Sequence, residues 1–125
     1  MRNEPQRSTA AAALHPMSTE AVIRNHLRSA SVGVDAIMQD YTDQSVLITH
    51  DATYCGVAEI RRFFTNLIDS LPPGFFDELK VIRQEVFGEV AYIFWEKKPI
   101  ISWATDTFVV RNGKILFQTF TPQPA

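Results

Sequence analysis

Residues 90–121 read VAYIFWEKKPIISWATDTFVVRNGKILFQTFT, and this stretch decides the fold. Residues 90–96 form a run of β-branched and aromatic side chains, which favours a strand. Lys97-Lys98-Pro99 marks a turn, and residues 100–111 read as a second, longer strand. Asn112-Gly113 is a hairpin signal, because both residues tolerate the positive φ that a two-residue turn needs. Residues 114–121 close the sheet. Upstream, residues 76–87 alternate roughly and turn at Gly88-Glu89, so the C-terminal half is a four-strand meander.

The N-terminal half has helical spacing instead. Ser18-Thr19-Glu20 supplies a cap and early acidic charge. Ile23, Leu27 and Ala30 then recur at helical intervals, with Val22 and His26 beside the stripe. A short second helix is expected over residues 34–41, with Val34, Ile37, Met38 and Tyr41 facing in. Residues 45–50 read as one early strand, followed by a loop over residues 51–55. From Gly56 the apolar positions Val57, Ile60, Phe63, Phe64, Leu67, Ile68 and Leu71 fall on one helical face. Leu71-Pro72-Pro73-Gly74 stops that helix, since proline cannot continue the hydrogen-bond ladder. The expected fold class is α+β: three N-terminal helices packed on one face of a curved antiparallel sheet.

Length and charge narrow the function classes. The chain has 125 residues, room for one domain, and 46% hydrophobic residues, enough for a core without disulfides or metals. Twelve Lys+Arg against fourteen Asp+Glu leave a net charge of −2, so a nucleic-acid partner is not expected. The longest apolar run is six residues, residues 90–95, where a membrane span needs about 20. The single cysteine, Cys55, suits a reducing compartment, and the expected location is cytoplasmic. Residues 1–18 are read as a flexible extension, residues 19–122 as the domain and residues 123–125 as a tail. The candidate metal ligands are scattered, so neither a metal nor a cofactor is expected.

Three segments carry a family resemblance: VDAIM at residues 34–38 running into YTDQSVL at 41–47, GVAEIRRFF at 56–64, and DTFVVRNGKI at 106–115. In this order and spacing the chain resembles the nuclear-transport-factor-2-like superfamily, in its SnoaL-like polyketide cyclase and ketosteroid isomerase branch. The resemblance implies a cone-shaped sheet whose concave face and helices enclose an apolar pocket for a small hydrophobic ligand. It also implies a homodimer through the outer sheet face, which would include Trp103. In the isomerase branch a carboxylate base follows the first strand, and a protonated aspartic acid with a helix-borne tyrosine forms an oxyanion hole. By the resemblance, Asp106 falls on that aspartic acid. The base position falls on Thr49 or His50, and the tyrosine position on Asn25 or His26. This sequence therefore lacks the usual chemistry at two of the three roles.

Asp106, His50 and His26 are the candidate catalytic residues. A carboxylate within a central-looking strand is unusual, because charge is seldom buried without a partner. Asp106 is read as a pocket acid, base or hydrogen-bond donor, or as a carboxylate satisfied by a neighbouring hydroxyl or Arg. His50 ends the first strand near the expected pocket mouth, and His26 flanks the buried stripe of the first helix. Either imidazole could act as a base, or pair with Asp106. Tyr54, Phe64, Tyr92, Phe108, Gln118 and Phe120 are the candidate ligand-binding residues, with Tyr54 as a gate and Cys55 as a small packing residue. The final hairpin leaves two registers open. A two-residue turn puts Asp106 opposite Thr119, with Ile115, Phe117 and Thr119 inward. A three-residue loop puts Asp106 opposite Gln118, with Leu116, Gln118 and Phe120 inward; the resemblance favours the second. The functions left open are an isomerase, cyclase or dehydratase acting by acid–base chemistry, a non-catalytic ligand-binding protein, and an assembly module.

Overall fold

The computed structural model describes residues 17–125. The extension read over residues 1–18 thus lies outside the described residues, apart from Met17 and Ser18. The chain runs α1 (Thr19–Ala30), α2 (Val34–Met38), β1 (Val46–Thr49), β2 (Thr53–Cys55) and α3 (Gly56–Asp69), then β3 (Lys80–Phe87), β4 (Val90–Lys97), β5 (Ile101–Arg111) and β6 (Lys114–Pro124). The strands form one curved six-stranded sheet in the order β2-β1-β6-β5-β4-β3. Helix α1 lies against β4 and β5, and α3 lies against β1 and β2, so the fold is α+β with helices over one sheet face. Among the described residues no helix is long and apolar enough to cross a membrane.

The helices begin and end for local reasons. Ser18 Oγ accepts the Ala21 N–H at 3.1 Å, which caps α1. The buried stripe of α1 is Val22, Ile23, His26 and Ser29; Leu27 and Ala30 sit at its half-buried edge. The stripe is therefore rotated from the one the apolar residues mark, and it carries a histidine inward. Helix α2 stops at Met38 and not at Tyr41, because the chain tightens there. The N–H groups of Asp40 and Tyr41 bond three residues back, to Ile37 and Met38, at 3.1 and 3.2 Å. Tyr41 still turns inward and is 5% exposed.

The sheet departs from the expected antiparallel meander in two ways. Residues 53–55, expected as loop, form β2, which folds back on β1 through a tight turn closed by the Thr49 N–H to the Ala52 carbonyl at 2.9 Å. Strand β1 then pairs with β6 in parallel, Val46 beside Phe117 and Thr49 beside Phe120. Parallel neighbours need a long crossover, and the chain from α3 through β5 supplies it. Strand β3 begins at Lys80 and not near Phe76, since turns from Pro72 to Phe75 and from Gly74 to Asp77 hold the preceding segment. Strand β6 runs on to Pro124, where β1 no longer lies beside it and proline costs no ladder bond.

The last hairpin decides which side chains face the core. Asn112 and Gly113 take φ of 53° and 74°, a two-residue turn with Arg111 opposite Lys114. Val110 pairs with Ile115, but Val109 pairs with Phe117, so Leu116 is an extra, unpaired residue. This β-bulge shifts the register by one. The turn is that of the first register, yet Gln118 and Phe120 face inward as in the second, with Phe108 opposite Gln118 and Asp106 opposite Phe120. Leu116, expected inward, gives its place to Ile115, which is fully buried.

Candidate functional site

Alternation along β5 sends Ala104, Asp106, Phe108 and Val110 to the inner face, all buried, while Trp103, Thr105, Thr107 and Val109 face outward. Above Asp106, between the sheet, α1, α3 and the segment before β3, lies a cavity of about 50 Å³. A single water needs roughly 10–15 Å³, so the space takes several waters or the reacting end of a small molecule. Its wall is mostly apolar, with Leu27, Phe64, Leu67, Ile93, Trp95 and Phe120 prominent. The titratable and amide side chains on it are His26, Asp106 and Gln118.

Both oxygens of Asp106 are held by donors. Trp95 Nε1–H donates to Oδ2 at 2.9 Å, and Gln118 Nε2–H donates to Oδ1 at 2.9 Å. The Gln118 amide is itself oriented, because its Oε1 accepts the Tyr41 hydroxyl. Tyr41 can donate there because its proton is secure. Burial, then the negative fields of Asp106 and Asp40, push the phenol well above its ordinary range. At Asp106 burial dominates and raises the carboxyl above the usual carboxylate value. The two hydrogen bonds and a charge on His26 pull it back only in part. Neither bonded neighbour is a cation, and neither the indole nor the amide nitrogen accepts a proton. A protonated Asp106 would thus find no acceptor in either of these two neighbours, and the cavity is the space it lines.

His26 lies on the same cavity wall, but its carboxylate partner is not Asp106. Its Nδ1 faces Asp40 Oδ2 at 3.4 Å, and both side chains are nearly sealed from solvent. The ring packs edge-on against Tyr41, Phe64 and Phe108, with centroids 6.0, 6.2 and 5.4 Å away. That aromatic collar fixes the imidazole plane.

The other expected site residues divide. Phe64, Gln118 and Phe120 line the cavity with Asp106 and His26. Phe108 is fully buried beneath the His26 ring, a floor and not a wall. Tyr54 packs tilted against Phe63, ring centroids 4.9 Å apart, and so stands one ring behind the wall that Phe63 forms. His50 is corrected: its side chain is 62% exposed beside Asp51, outside the cavity, because β1 ends one residue earlier and the chain turns away. Tyr92 is corrected too. Ala91, Ile93 and Trp95 take the inner positions of β4, which leaves Tyr92 on the outer face under the Arg83 guanidinium, 5.7 Å from its ring centre. Cys55, expected to pack, is exposed. Among the described residues no group of three or more His, Cys, Asp or Glu could hold a metal ion.

Trp95, Tyr41 and Asp40 are the polar participants that the sequence reading did not assign. Trp95 had a usable signal: with Ile93 across from Asp106, Trp95 lies on the same face two residues along, within indole reach. Asp40 had none, since its burial depends on the turn after α2.

No family model matches the chain, and no curated protein matches it. Solved structures do. A de novo designed protein with a curved β-sheet superposes with a TM-score of 0.69 at 21% identity, covering 85% of each chain. A polyketide cyclase candidate from Sinorhizobium meliloti gives 0.67 at 16% identity, over 80% of this chain and 93% of its own. An NTF-2-like protein of unknown function from Burkholderia xenovorans gives 0.68 at 15%, over 86% and 84%. The fold is thus the nuclear-transport-factor-2-like fold expected from the three segments. A shared fold by itself assigns no chemistry.

Proposed function

We propose that this nuclear-transport-factor-2-like fold houses a cofactor-free acid–base enzyme, of isomerase, cyclase or dehydratase type, acting on a small hydrophobic carbonyl or hydroxyl compound. The observation that supports it is Asp106: a buried carboxyl in an apolar cavity, held by two donors and pushed toward its neutral form. As a neutral acid it donates to a substrate oxygen, where negative charge grows when a neighbouring C–H is deprotonated. His26 is the base on the same wall. The C–H bond breaks, an N–H bond forms on the imidazole, and the electron pair moves into the enolate held by Asp106. Returning the proton to another carbon gives an isomerase. Expelling a β-hydroxyl, which leaves as water with the proton handed on from the imidazole, gives a dehydratase. The apolar wall selects substrates with few polar groups, and the cavity accepts their reacting end.

A homodimer through the outer sheet face belongs to the same proposal. Trp103 and Phe117 are 38% and 45% exposed there, and Trp103 meets Phe94 at 6.3 Å. The Trp103–Phe94 pair, with Phe117 further along the same face beside Val109, offers apolar surface that favours a partner.

Substituted phenols test the site, because a phenolate oxygen mimics an enolate. Isothermal titration should show binding to the wild-type chain. Asp106→Asn should retain most of the affinity, since an amide still donates. Asp106→Ala should lose roughly 5- to 150-fold, the equivalent of about 1–3 kcal/mol for a buried hydrogen bond. Unchanged binding in Asp106→Ala removes Asp106 from the site.

A further inference from the structure

Asp40 is a buried carboxylate that the chemistry above does not use. It follows α2 directly, and only 5% of the residue is exposed. Its Oδ1 accepts from Asn25 Nδ2 at 3.0 Å. The Asn25 amide is fixed in turn, because its Oδ1 accepts from Arg28 Nη2 at 3.1 Å. The remaining atoms are Asp40 Oδ2 and His26 Nδ1. Both are buried, neither has a hydrogen-bond partner as placed, and they lie 3.4 Å apart, a slight approach short of a bond. Buried polar atoms rarely stay unpaired, and here each is the other's complement.

A neutral imidazole carries one N–H and one lone pair. With Nδ1 against a carboxylate oxygen, the hydrogen belongs on Nδ1. The lone pair then belongs to Nε2, the nitrogen left for the cavity that His26 lines. Asp106 does not take this part: among the described residues the carboxylate within 4.0 Å of a His26 ring nitrogen is that of Asp40. We propose that Asp40 is a positioning residue, which holds His26 in the Nδ1–H tautomer and so presents Nε2 to the cavity as a base. The catalytic use of that nitrogen rests on the function proposed above; the tautomer itself does not. When Nε2 takes a proton, both ring nitrogens carry hydrogen, and the Asp40 carboxylate faces the new positive charge. Arg28 reaches Asp40 only through the neutral Asn25, so among the described residues a protonated His26 is the cation that would meet Asp40 directly.

The test is spectroscopic and needs no substrate. The full chain, labelled with ¹⁵N-histidine, is examined by two-bond ¹⁵N–¹H correlation at alkaline pH, where neutral imidazoles show their tautomer. His26→Asn assigns the His26 signals among the three histidines. The wild-type chain should show the Nδ1–H pattern at His26. In Asp40→Asn the Asn25 donor holds the new amide oxygen, so the amide NH₂ turns toward Nδ1. The tautomer should then switch to Nε2–H, as a base facing a donor must. Phenol affinity should change less than about threefold in Asp40→Asn, because Asp106 carries that contact. An Nε2–H pattern in the wild type overturns the proposal even if Asp40→Asn fails to fold, and so does an unswitched tautomer in a folded Asp40→Asn. Lost phenol binding in Asp106→Ala with a switching tautomer keeps both readings. A switching tautomer with no Asp106 effect sinks the proposed function alone.

Discussion

Trp95→Phe reads the protonation state of Asp106 through stability. The indole N–H donates to Asp106 Oδ2 at 2.9 Å, while its ring stacks on Phe120 with planes 6° apart and centroids 6.4 Å apart. Phenylalanine keeps an apolar ring and loses the donor. The cost has two parts. The smaller ring costs about 1 kcal/mol at every pH, an ordinary penalty for loosened packing. The hydrogen bond is worth about 0.5–1.5 kcal/mol against a neutral carboxyl and about 1.5–3 kcal/mol against a carboxylate. The total should therefore grow by about 1–1.5 kcal/mol as Asp106 ionises, equivalent to roughly one further unit of upward pKa shift.

The sign follows from proton linkage. Burial raises Asp106 in the folded chain above its unfolded value of about 3.9. Between those two values the folded state binds more protons than the unfolded, so stability falls as pH rises through the window. Below the unfolded value both states are protonated and this loss vanishes. Removing the indole donor raises the folded value further, which widens the window and deepens the loss. Urea unfolding of both chains from pH 4 to 9, followed by circular dichroism, measures the gap. It should be smallest at the acid end and widest at the alkaline end. A gap constant across this range, or one that narrows as pH rises, refutes the account of Asp106 as a desolvated carboxyl partly supported by Trp95.

Tyr41 should keep its proton until the chain unfolds. In an alkaline titration at 295 nm, one of the three tyrosines should ionise only with the unfolding transition. Its folded value lies above its unfolded one, so stability should fall as pH rises past about 10. Trp103→Arg should leave the monomer folded and abolish self-association, whereas the wild-type chain should sediment as a dimer at micromolar concentration; a wild-type monomer there ends the dimer proposal. Phe108→Ala should cost about 3–5 kcal/mol, because the ring is fully buried beneath His26. Deleting Leu116 should be tolerated in thermal melts, since it removes only the bulged residue and leaves Val110–Ile115 and Val109–Phe117 in phase. Deleting Phe117 instead should be tolerated alike, since Gln118 then still follows the inward Ile115 by two residues, with Leu116 in the outward place.

What the sequence made legible follows the range of the signal. Asn112-Gly113, Pro72-Pro73-Gly74 and the apolar stripe of residues 56–71 act within a few residues, and the structure places turn, stop and helix where they fall. Asp106 was legible as a candidate because β5 alternates without a break, so one polar residue among inward positions stands out. The faces of β6 were not settled by the turn. They depend on Leu116 standing unpaired, and nothing in residues 114–118 marks which residue the ladder will skip. Strand β2 escaped for a similar reason: three residues carry too short an alternation, and only the β1 edge beside them makes a strand.

Partners distant in the chain decide the chemistry of the site, and they are what a local pattern omits. His26 and Asp40 are fourteen residues apart, on a helix and on a turn, and each looks unremarkable alone. They meet because α2 stops at Met38 and its last carbonyls take tight bonds, which turns Asp40 back toward α1. Continuing α2 to Tyr41 would carry Asp40 round the helix and away from its 3.4 Å contact with His26 Nδ1. The same turn brings Tyr41 to Gln118, and through it to Asp106. One irregular turn thus supplies a neighbour to each polar group on the cavity wall: a carboxylate beside His26, and a phenol acting through an amide on Asp106. Under the function proposed above, burial holds Asp106 to its proton, and the Asp40 carboxylate beside Nδ1 leaves the Nε2 lone pair for the cavity, the complementary parts of an acid and a base.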